Sequence, residues 1–371
     1  MNNDMSVLIS GASFAGLSTA YWMNRSGYRV TVVEISDGLR TGGTPVDVKA
    51  NTADIARRMG IFERIESNRL KPKTMEFKNA NDVTEGSMSP QQEDDEPAGD
   101  EFEIERDELL NILFDTVKDD VEFIFNASIG GLSETADGMQ VTFRDGSQRV
   151  FDLVFGCDGL HSAVRKIWFG EESGYMHFLG QYFCITIVNK LLIQPDTAQM
   201  YNEPDRTAML NTYNGKTDII LFFRSEIEIA YDYRDEAQQR RIILDRLAGG
   251  GWRIAEMLDY VANSKTFYFD KLCQIKMPSW TKGRVALVGD AGYCASPAAG
   301  RGGSLAIDGA AALADAFQEH RGDFAAAFRH YDTNFRPFIE KIQAEAESGL
   351  ELLSPRTEEA IRRRNTQATA F

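Results

Sequence analysis

The period of apolar and polar positions changes along the chain, and the changes divide it. Val7-Leu8-Ile9 is an unbroken apolar run, the pattern of a buried strand. The turn Gly11-Ala12-Ser13-Phe14-Ala15-Gly16 follows, and the spacing then predicts a helix from Leu17 to Arg25, closed by Gly27. Val30-Thr31-Val32-Val33 is a β-branched run with Glu34 at its end. Strand, turn, helix, strand and terminal acid make one βαβ unit. Further helices are predicted over Asn51 to Met59, with Thr52 near the cap, and from Arg106 to about Val117. Lys73 to Lys78 and Val83 to Met88 read as a hairpin around Asn79-Ala80-Asn81-Asp82. Gln91 to Asp100, acidic and carrying Pro97 and Gly99, reads as a mobile loop. Val121 to Ile129, Gly138 to Phe143 and Gln148 to Phe151 read as strands.

The second half has a different rhythm. Tyr182 to Val188, Thr197 to Tyr201, Thr207 to Tyr213 and Asp218 to Arg224 are strand-like and rich in Phe, Tyr, Ile and Thr, with no helix between them. This predicts an antiparallel sheet and a second domain. Helices are expected over Asp235 to Ala248 and Trp252 to Asn263; Gly249-Gly250-Gly251 follows a helix and so reads as its C-cap rather than as a phosphate loop. Thr266 to Lys276 reads as a returning strand and Ser304 to Phe317 as a helix. Asp323 to Leu353 is a long amphipathic stretch expected to break near Pro337. Pro355 to Arg364 reads as a surface helix and Asn365 to Phe371 as a frayed end.

Three stretches carry candidate chemistry. In the βαβ unit Gly11 permits a tight turn, small residues at Ser13 and Gly16 let backbone approach a pyrophosphate, and the helix N-terminus offers N–H groups to phosphate. Glu34 is placed to accept from ribose hydroxyls, which argues against a 2′-phosphate there. Ser13 stands where GxGxxG has its middle glycine, and the unit alone does not distinguish NAD from FAD. The second stretch, a strand ending in Cys157-Asp158-Gly159 before Ser162 and Arg165, puts polar groups at a sheet's carboxyl edge or simply caps a helix. The third is a strand ending in Gly289-Asp290, followed by Ser296-Pro297 and Gly300-Arg301-Gly302-Gly303. Asp290 suits sugar-like hydroxyls, and the loop opens a helix whose positive end can face a developing anion. The loop Arg40-Thr41-Gly42-Gly43 suits either a flat ligand or an ordinary turn.

Composition narrows the partners. A chain of 371 residues accommodates about two domains. A net charge of −16 disfavours nucleic acid and anionic membrane surfaces. The N-terminus has neither a basic region nor a long apolar core, and no apolar run approaches a membrane span. Cys157, Cys184, Cys273 and Cys294 form no CxxC and read as thiols in a reducing compartment, so a cytoplasmic location is expected. His161, His177, His320 and His330 show no ligand spacing, and no metal is expected. Oligomeric state is not encoded legibly.

Taken in this order, the Gly11–Gly16 turn with Glu34, Asp158-Gly159, and Gly289-Asp290 with its glycine loop resemble the FAD-dependent aromatic hydroxylases of the para-hydroxybenzoate hydroxylase type, over nearly the whole chain. Within them the chain looks most like the tetracycline-inactivating monooxygenases, through Gly42-Gly43-Thr44 leading to Asp47, the overall length and the C-terminal helix. The resemblance implies an α/β fold: a Rossmann-like FAD-binding domain on a parallel sheet, interleaved with an antiparallel-sheet substrate domain and followed by C-terminal helices. The expected division is 1–72, 101–175 and 277–322 for FAD, 73–100 and 176–276 for substrate, and 323–371 for the helices.

The resemblance also implies roles. Gly11, Ser13, Phe14, Ala15, Gly16 and Glu34 would hold the ADP half of FAD. Arg40 would contact the flavin end, Arg106 the ribose and phosphates, Asp158 the pyrophosphate region, and Asp290 the ribityl chain. Pro297, Gly300, Gly302 and Gly303 would face the isoalloxazine; no general base is assigned. Gly292-Tyr293 departs from the Ala-His of many members, which leaves that histidine's role unfilled. The implied reaction uses NADPH or NADH and O2 to hydroxylate a small aromatic or polycyclic substrate through a flavin C4a-hydroperoxide, with tetracycline and antibiotic resistance as the nearest analogy. Phe183, Tyr213, Phe222 and Phe223 are candidates to line the substrate, and as strand aromatics they equally suit a core. The alternatives are an FAD-dependent oxidase or epoxidase on the same scaffold, or a non-catalytic flavin carrier or antibiotic-binding protein. An NAD(P)-dependent dehydrogenase would need a catalytic Tyr/Lys or His/Asp set, and none is legible.

Overall fold

The computed structural model describes residues 5–89 and 101–368, so the acidic stretch expected to be a mobile loop lies outside the described residues. The apolar runs assemble a six-stranded sheet in the order Thr281–Lys282, Val285–Leu287, Leu153–Gly156, Ser6–Ser10, Arg29–Val33, Glu122–Ile124. All its pairings are parallel except the short Thr281–Lys282 edge. Val7, Leu8 and Ile9 have no exposed surface because helices cover both faces, which is why that run shows no alternation. The Phe14–Arg25 helix packs against Gly302–Glu319, so the first and last parts of this sheet's architecture are wound together.

The aromatic-rich strands form a seven-stranded sheet in the order Tyr268–Ile275, Met176–Val188, Lys216–Arg224, Arg206–Tyr213, Thr197–Glu203, Thr74–Lys78, Thr84–Met88. It is antiparallel throughout except where Thr197–Tyr201 runs parallel to Thr74–Lys78, which brings the early hairpin onto its edge. Period-2 alternation separates its faces. Tyr182, Leu221 and Phe223 pack under Ile243, Leu247, Met257 and Val261 of the Glu236–Leu247 and Ile254–Asn263 helices. Phe183, Phe222 and Leu272 face the other way, toward Ala298 of the glycine loop and Leu350.

Three expectations from the sequence need correction. The stretch Val121 to Ile129 is two strands, Glu122–Ile124 and Ile129–Thr135, because Asn126 turns the backbone to φ 56° between them. Thr52 lies near the helix cap as expected, three residues after Lys49 at the N-cap position of Ala50–Met59, and its hydroxyl donates to Asp308 Oδ1 at 2.8 Å. Pro337 does not break its helix, which runs unbroken over Phe324–Leu353. Proline removes one backbone donor, but the flanks are clamped: Arg336 donates to Met277 O at 2.9 Å and pairs with Asp332, Phe335 stacks on Tyr331, and Ile339 is buried. Finally, the last helix, Glu358–Ala368, is a surface helix with a packed inner face, and it continues past Arg364 through Ala368; residues 369–371 of the expected frayed end lie outside the described residues. Ile361, Asn365 and Ala368 are buried, and Arg364 lies over the Phe77 ring while donating to Asn202 Oδ1 at 2.8 Å. Burial pulls the Arg364 guanidinium down to about 10.

Tyr293, the residue that departs from the family's Ala-His pattern, is a core side chain. Its hydroxyl meets that of Tyr331 at 3.1 Å, and a Cβ on Gly309 would stand 1.7 Å from it. Gly309 is therefore the complement of Tyr293. Gly309→Ala is expected to lower stability by about 1–3 kcal/mol through overpacking, and Tyr293→Phe to cost about 1 kcal/mol through the lost hydrogen bond. Adding Tyr293→Phe to Gly309→Ala should recover part of the loss, read as melting temperatures around a double-mutant cycle; strictly additive effects would disprove the contact.

Candidate active site

Each motif lies where a strand of the parallel sheet ends, and backbone contacts bring the three together. Gly11 has φ 104°, and a Cβ there would stand 2.5 Å from Cys157 O. A Cβ on Gly16 would stand 1.8 Å from Gly11 O, so the helix meets the turn backbone to backbone. Gly289, at φ 69°, comes so close that an added Cβ would be 3.0 Å from Ala15 Cβ. Glu34 reaches across the strand ends: Ala12 N donates to its Oε2 at 2.9 Å and Ser36 N to its Oε1 at 3.0 Å.

Arg106 joins the turn to the Arg40–Gly43 loop. Its Nη1 donates to Arg40 O at 2.8 Å and Gly42 O at 3.0 Å, its Nη2 lies 3.5 Å from Ser13 Oγ, and its guanidinium covers the Phe14 ring. Burial lowers the Arg106 pKa. Neighbouring Asp107 accepts from Gly42 N at 2.8 Å, so the loop is held from both sides. Arg40 itself extends over the Tyr268 ring at 5.7 Å.

Asp158 turns inward. It accepts from the Ser162 hydroxyl and from Val164 N at 3.1 Å, so its carboxylate caps the Ala163–Trp168 helix that Ser162 also caps. Burial pushes the Asp158 carboxyl up, as it does Asp290 at the start of the Asp290–Tyr293 turn of helix. Pro297–Ala299 form a short helical turn behind Ser296, whose φ of 82° is left-handed. Gly302 and Gly303 open the Gly302–Glu319 helix; a Cβ on Gly303 would crowd Val46 and Phe14, whereas beside Gly42, Gly159 and Gly302 the same position is open space. Asp47 flanks this loop, its O accepting from Ser304 Oγ at 2.6 Å and its Oδ2 lying 3.2 Å from a Cβ built on Gly300.

The four aromatic candidates are not brought together. Phe183 and Phe222 stack, with centroids 5.9 Å apart, on the face that looks toward Ala298. Phe223 faces the opposite way, stacked on Tyr182 at 5.2 Å beneath the two helices. Tyr213 is buried at the far end of its strand, donating to Asp218 Oδ1 at 2.7 Å; burial pushes that carboxyl up to about 7.

A network that sequence reading missed ties the two sheets at this edge. Asp270, 3% exposed, lies 3.0 Å from His161 Nε2 and accepts from Tyr231 Oη at 2.8 Å and Tyr268 Oη at 3.1 Å. His161 Nδ1 lies 3.3 Å from Glu172 Oε1, which also accepts from Arg165 Nη2 at 3.0 Å. Burial pulls the His161 imidazolium down, but the bonds and charge of Asp270 and Glu172 outweigh it and push its pKa up to about 9. For the same reason both carboxyls stay below their usual range despite burial. The available signal was Asp270 itself, an acid inside a strand whose register buries it.

Comparison with known proteins follows the same outline. The model of the FAD binding domain family matches residues 4–346. The chain belongs to this family of flavin-dependent monooxygenases. It is 35% identical over 351 residues to a flavin-dependent monooxygenase of Legionella longbeachae, covering 92% of this chain and 88% of that one. It is 36% identical to the uncharacterized protein Rv1260 of Mycobacterium tuberculosis, covering 91% of each. Among solved structures, the tetracycline destructase Tet(51) superposes with a TM-score of 0.85 at 30% identity, covering 99% of this chain and 96% of that chain. Klebsiella pneumoniae HpxO, complexed with FAD and uric acid, shares the fold with a TM-score of 0.78 at 20% identity. The α/β architecture expected from the resemblance is thus established, as are the FAD-dependent monooxygenase class and FAD as its cofactor. Among the described residues no helix is long and apolar enough to cross a membrane.

The His161 network makes a pH prediction. The folded-state value of about 9 lies above the histidine's ordinary value of about 6.5, so its contribution is complete below about pH 6.5 and fades as pH rises through 9. His161→Gln should cost about 1–3 kcal/mol near neutrality and flatten the loss of stability between pH 7 and 10, measured by urea denaturation at each pH. An unchanged alkaline limb in the variant would remove His161 as its cause.

Proposed function

We propose that this monooxygenase uses NADPH or NADH and O2 to hydroxylate a planar aromatic or polycyclic small molecule of the tetracycline kind. The observation that carries this reading is the meeting of two surfaces: the stacked Phe183 and Phe222, and the Pro297–Gly303 loop, whose own Ala298 packs against their cluster. Glycine backbone opposite an aromatic wall suits a flat ring held against a flat ring. The 30% identity to Tet(51) over nearly the whole chain supports the substrate class.

The glycine cradle fits FAD, because Gly42, Gly159 and Gly302 leave space where side chains would intrude. When bound, the flavin supplies the redox and oxygen chemistry; the chain supplies position, charge and exclusion of water. We assign Gly11, Ser13, Phe14, Ala15, Gly16 and Glu34 to the ADP half, Arg106 and Arg40 to the phosphates and the flavin end, and Asp290 to the ribityl chain. Asp158 acts by capping the helix beside the pyrophosphate. Pro297, Gly300, Gly302 and Gly303 line the ring, and the first N–H groups of the Gly302–Glu319 helix stabilise negative charge there. In this reading residues 1–72, 101–175 and 277–322 serve FAD, 73–100 and 176–276 serve the substrate through Phe183 and Phe222, and 323–371 brace them.

The FAD-loaded protein should oxidise NADPH in air faster with tetracycline or a related phenolic polycycle than without, and yield product heavier by one oxygen. A yellow protein that oxidises NADPH with none of a broad panel would point instead to the oxidase or carrier readings. Arg106→Lys should weaken FAD retention by about tenfold in a fluorescence titration, since a lysine cannot reproduce the fork that spans the loop and the turn. Wild-type retention in that variant would separate Arg106 from the cofactor.

A further inference from the structure

Far from the glycine loop, at the other end of the Gly302–Glu319 helix, the fold brings together three metal-ligating side chains that nothing in the flavin chemistry uses. They are Glu319, the last residue of that helix, His320, its C-cap, and His330 in the second turn of the Phe324–Leu353 helix. One donor atom from each lies within 4.8 Å of the other two. His320 Nε2 stands 3.2 Å from His330 Nδ1, and His330 Nδ1 stands 3.5 Å from Glu319 Oε1. Nitrogen and oxygen ligands at 2.0–2.2 Å in a tetrahedron are separated by about 3.3–3.6 Å, so two of the three separations already match those of ligands.

Asn334 Nδ2 stands 2.8 Å from His330 Nε2, one turn along the same helix. Ligation through His330 Nδ1 needs the other amide orientation, with the side-chain oxygen at the ring accepting the Nε2 proton. The cluster sits at a helix C-terminus, the negative end of the helix dipole, which favours a cation. The four cysteines are all buried, so thiolates do not compete for the ion.

We propose that Glu319, His320 and His330 form a binding site for a divalent transition-metal ion of the Zn2+ class, with water at the fourth position. Two imidazoles and a carboxylate select a borderline ion over Mg2+ or Ca2+. The site is structural: it pins the end of one helix to the start of the next across the turn at Arg321 and Gly322. Eighteen residues of helix put it about 27 Å from Gly302, which leaves the flavin chemistry untouched.

The test is isothermal titration of ZnCl2 into tag-free, chelator-treated, FAD-loaded protein, with thermal melts at each concentration. One saturable site with Kd below about 10 µM, and a melting temperature that rises with added Zn2+, are expected. His320→Gln and His330→Gln should each weaken binding at least about tenfold and remove the melting shift, with NADPH oxidation unchanged. Glu319→Gln, on the exposed side, supplies a third variant should either histidine change impair folding. MgCl2 should not substitute. Absence of saturable binding below about 1 mM, or binding that folded histidine variants retain, would overturn the site.

Discussion

Everything at the ligand edge of this protein depends on one close approach of backbone to backbone. Gly16 lies against Gly11 O, and Gly11 against Cys157 O, at separations that no side chain could occupy. The first contact seats the Phe14–Arg25 helix on the first turn, and the second fixes that turn beside the strand carrying Asp158. Gly289 against Ala15 then adds the third strand. Three stretches separated by well over a hundred residues each acquire their relative positions from these contacts. The polar groups are arranged afterwards: Glu34 gathers the N–H groups of Ala12 and Ser36, and Arg106 gathers the carbonyls of Arg40 and Gly42.

Because the governing contacts are made by glycine backbone, they were legible in the sequence. Only glycine permits such separations, so its placement between a buried strand and a helix carries three-dimensional information in a few residues. Facing was not legible. Phe222 and Phe223 are neighbours of the same type, yet one looks toward the glycine loop and the other into a separate core. The decision belongs to register, and register is set by strands far away in the chain. The same limit hid the partners of His161: Asp270 lies 109 residues downstream, and no local pattern links them. Pro337 failed as a breaker because tertiary contacts on both sides of it outweigh one lost hydrogen bond.

The Asp270 network has a mechanical role whatever ligand occupies the edge. The two sheets share no strand, and at this point His161 comes from the segment after the Leu153–Gly156 strand of the parallel sheet while Asp270 belongs to the other sheet. A protonated imidazole held between two carboxylates is a charge-assisted joint, and Tyr231, Tyr268 and the Lys271 backbone N–H donate to Asp270 beside it. Tyr268 passes the connection on to Arg40 through its ring. The aromatic wall is thereby registered against the loop that faces it, with small tolerance for sliding.

The burial of Arg364 and Asn365 bears on how the molecule is made. The strand Thr84–Met88 is the edge of the seven-stranded sheet, and the Glu358–Ala368 helix lies against it, with Asn365 bonded to Glu85. An uncovered edge strand is a template for pairing with another chain. During synthesis that edge exists long before the helix that shields it, so the newborn protein passes through an interval in which its own sheet invites strangers. The sequence meets the interval with charge and glycine: the waiting strand reads Thr84-Glu85-Gly86-Ser87-Met88, a poor partner until its proper cover arrives.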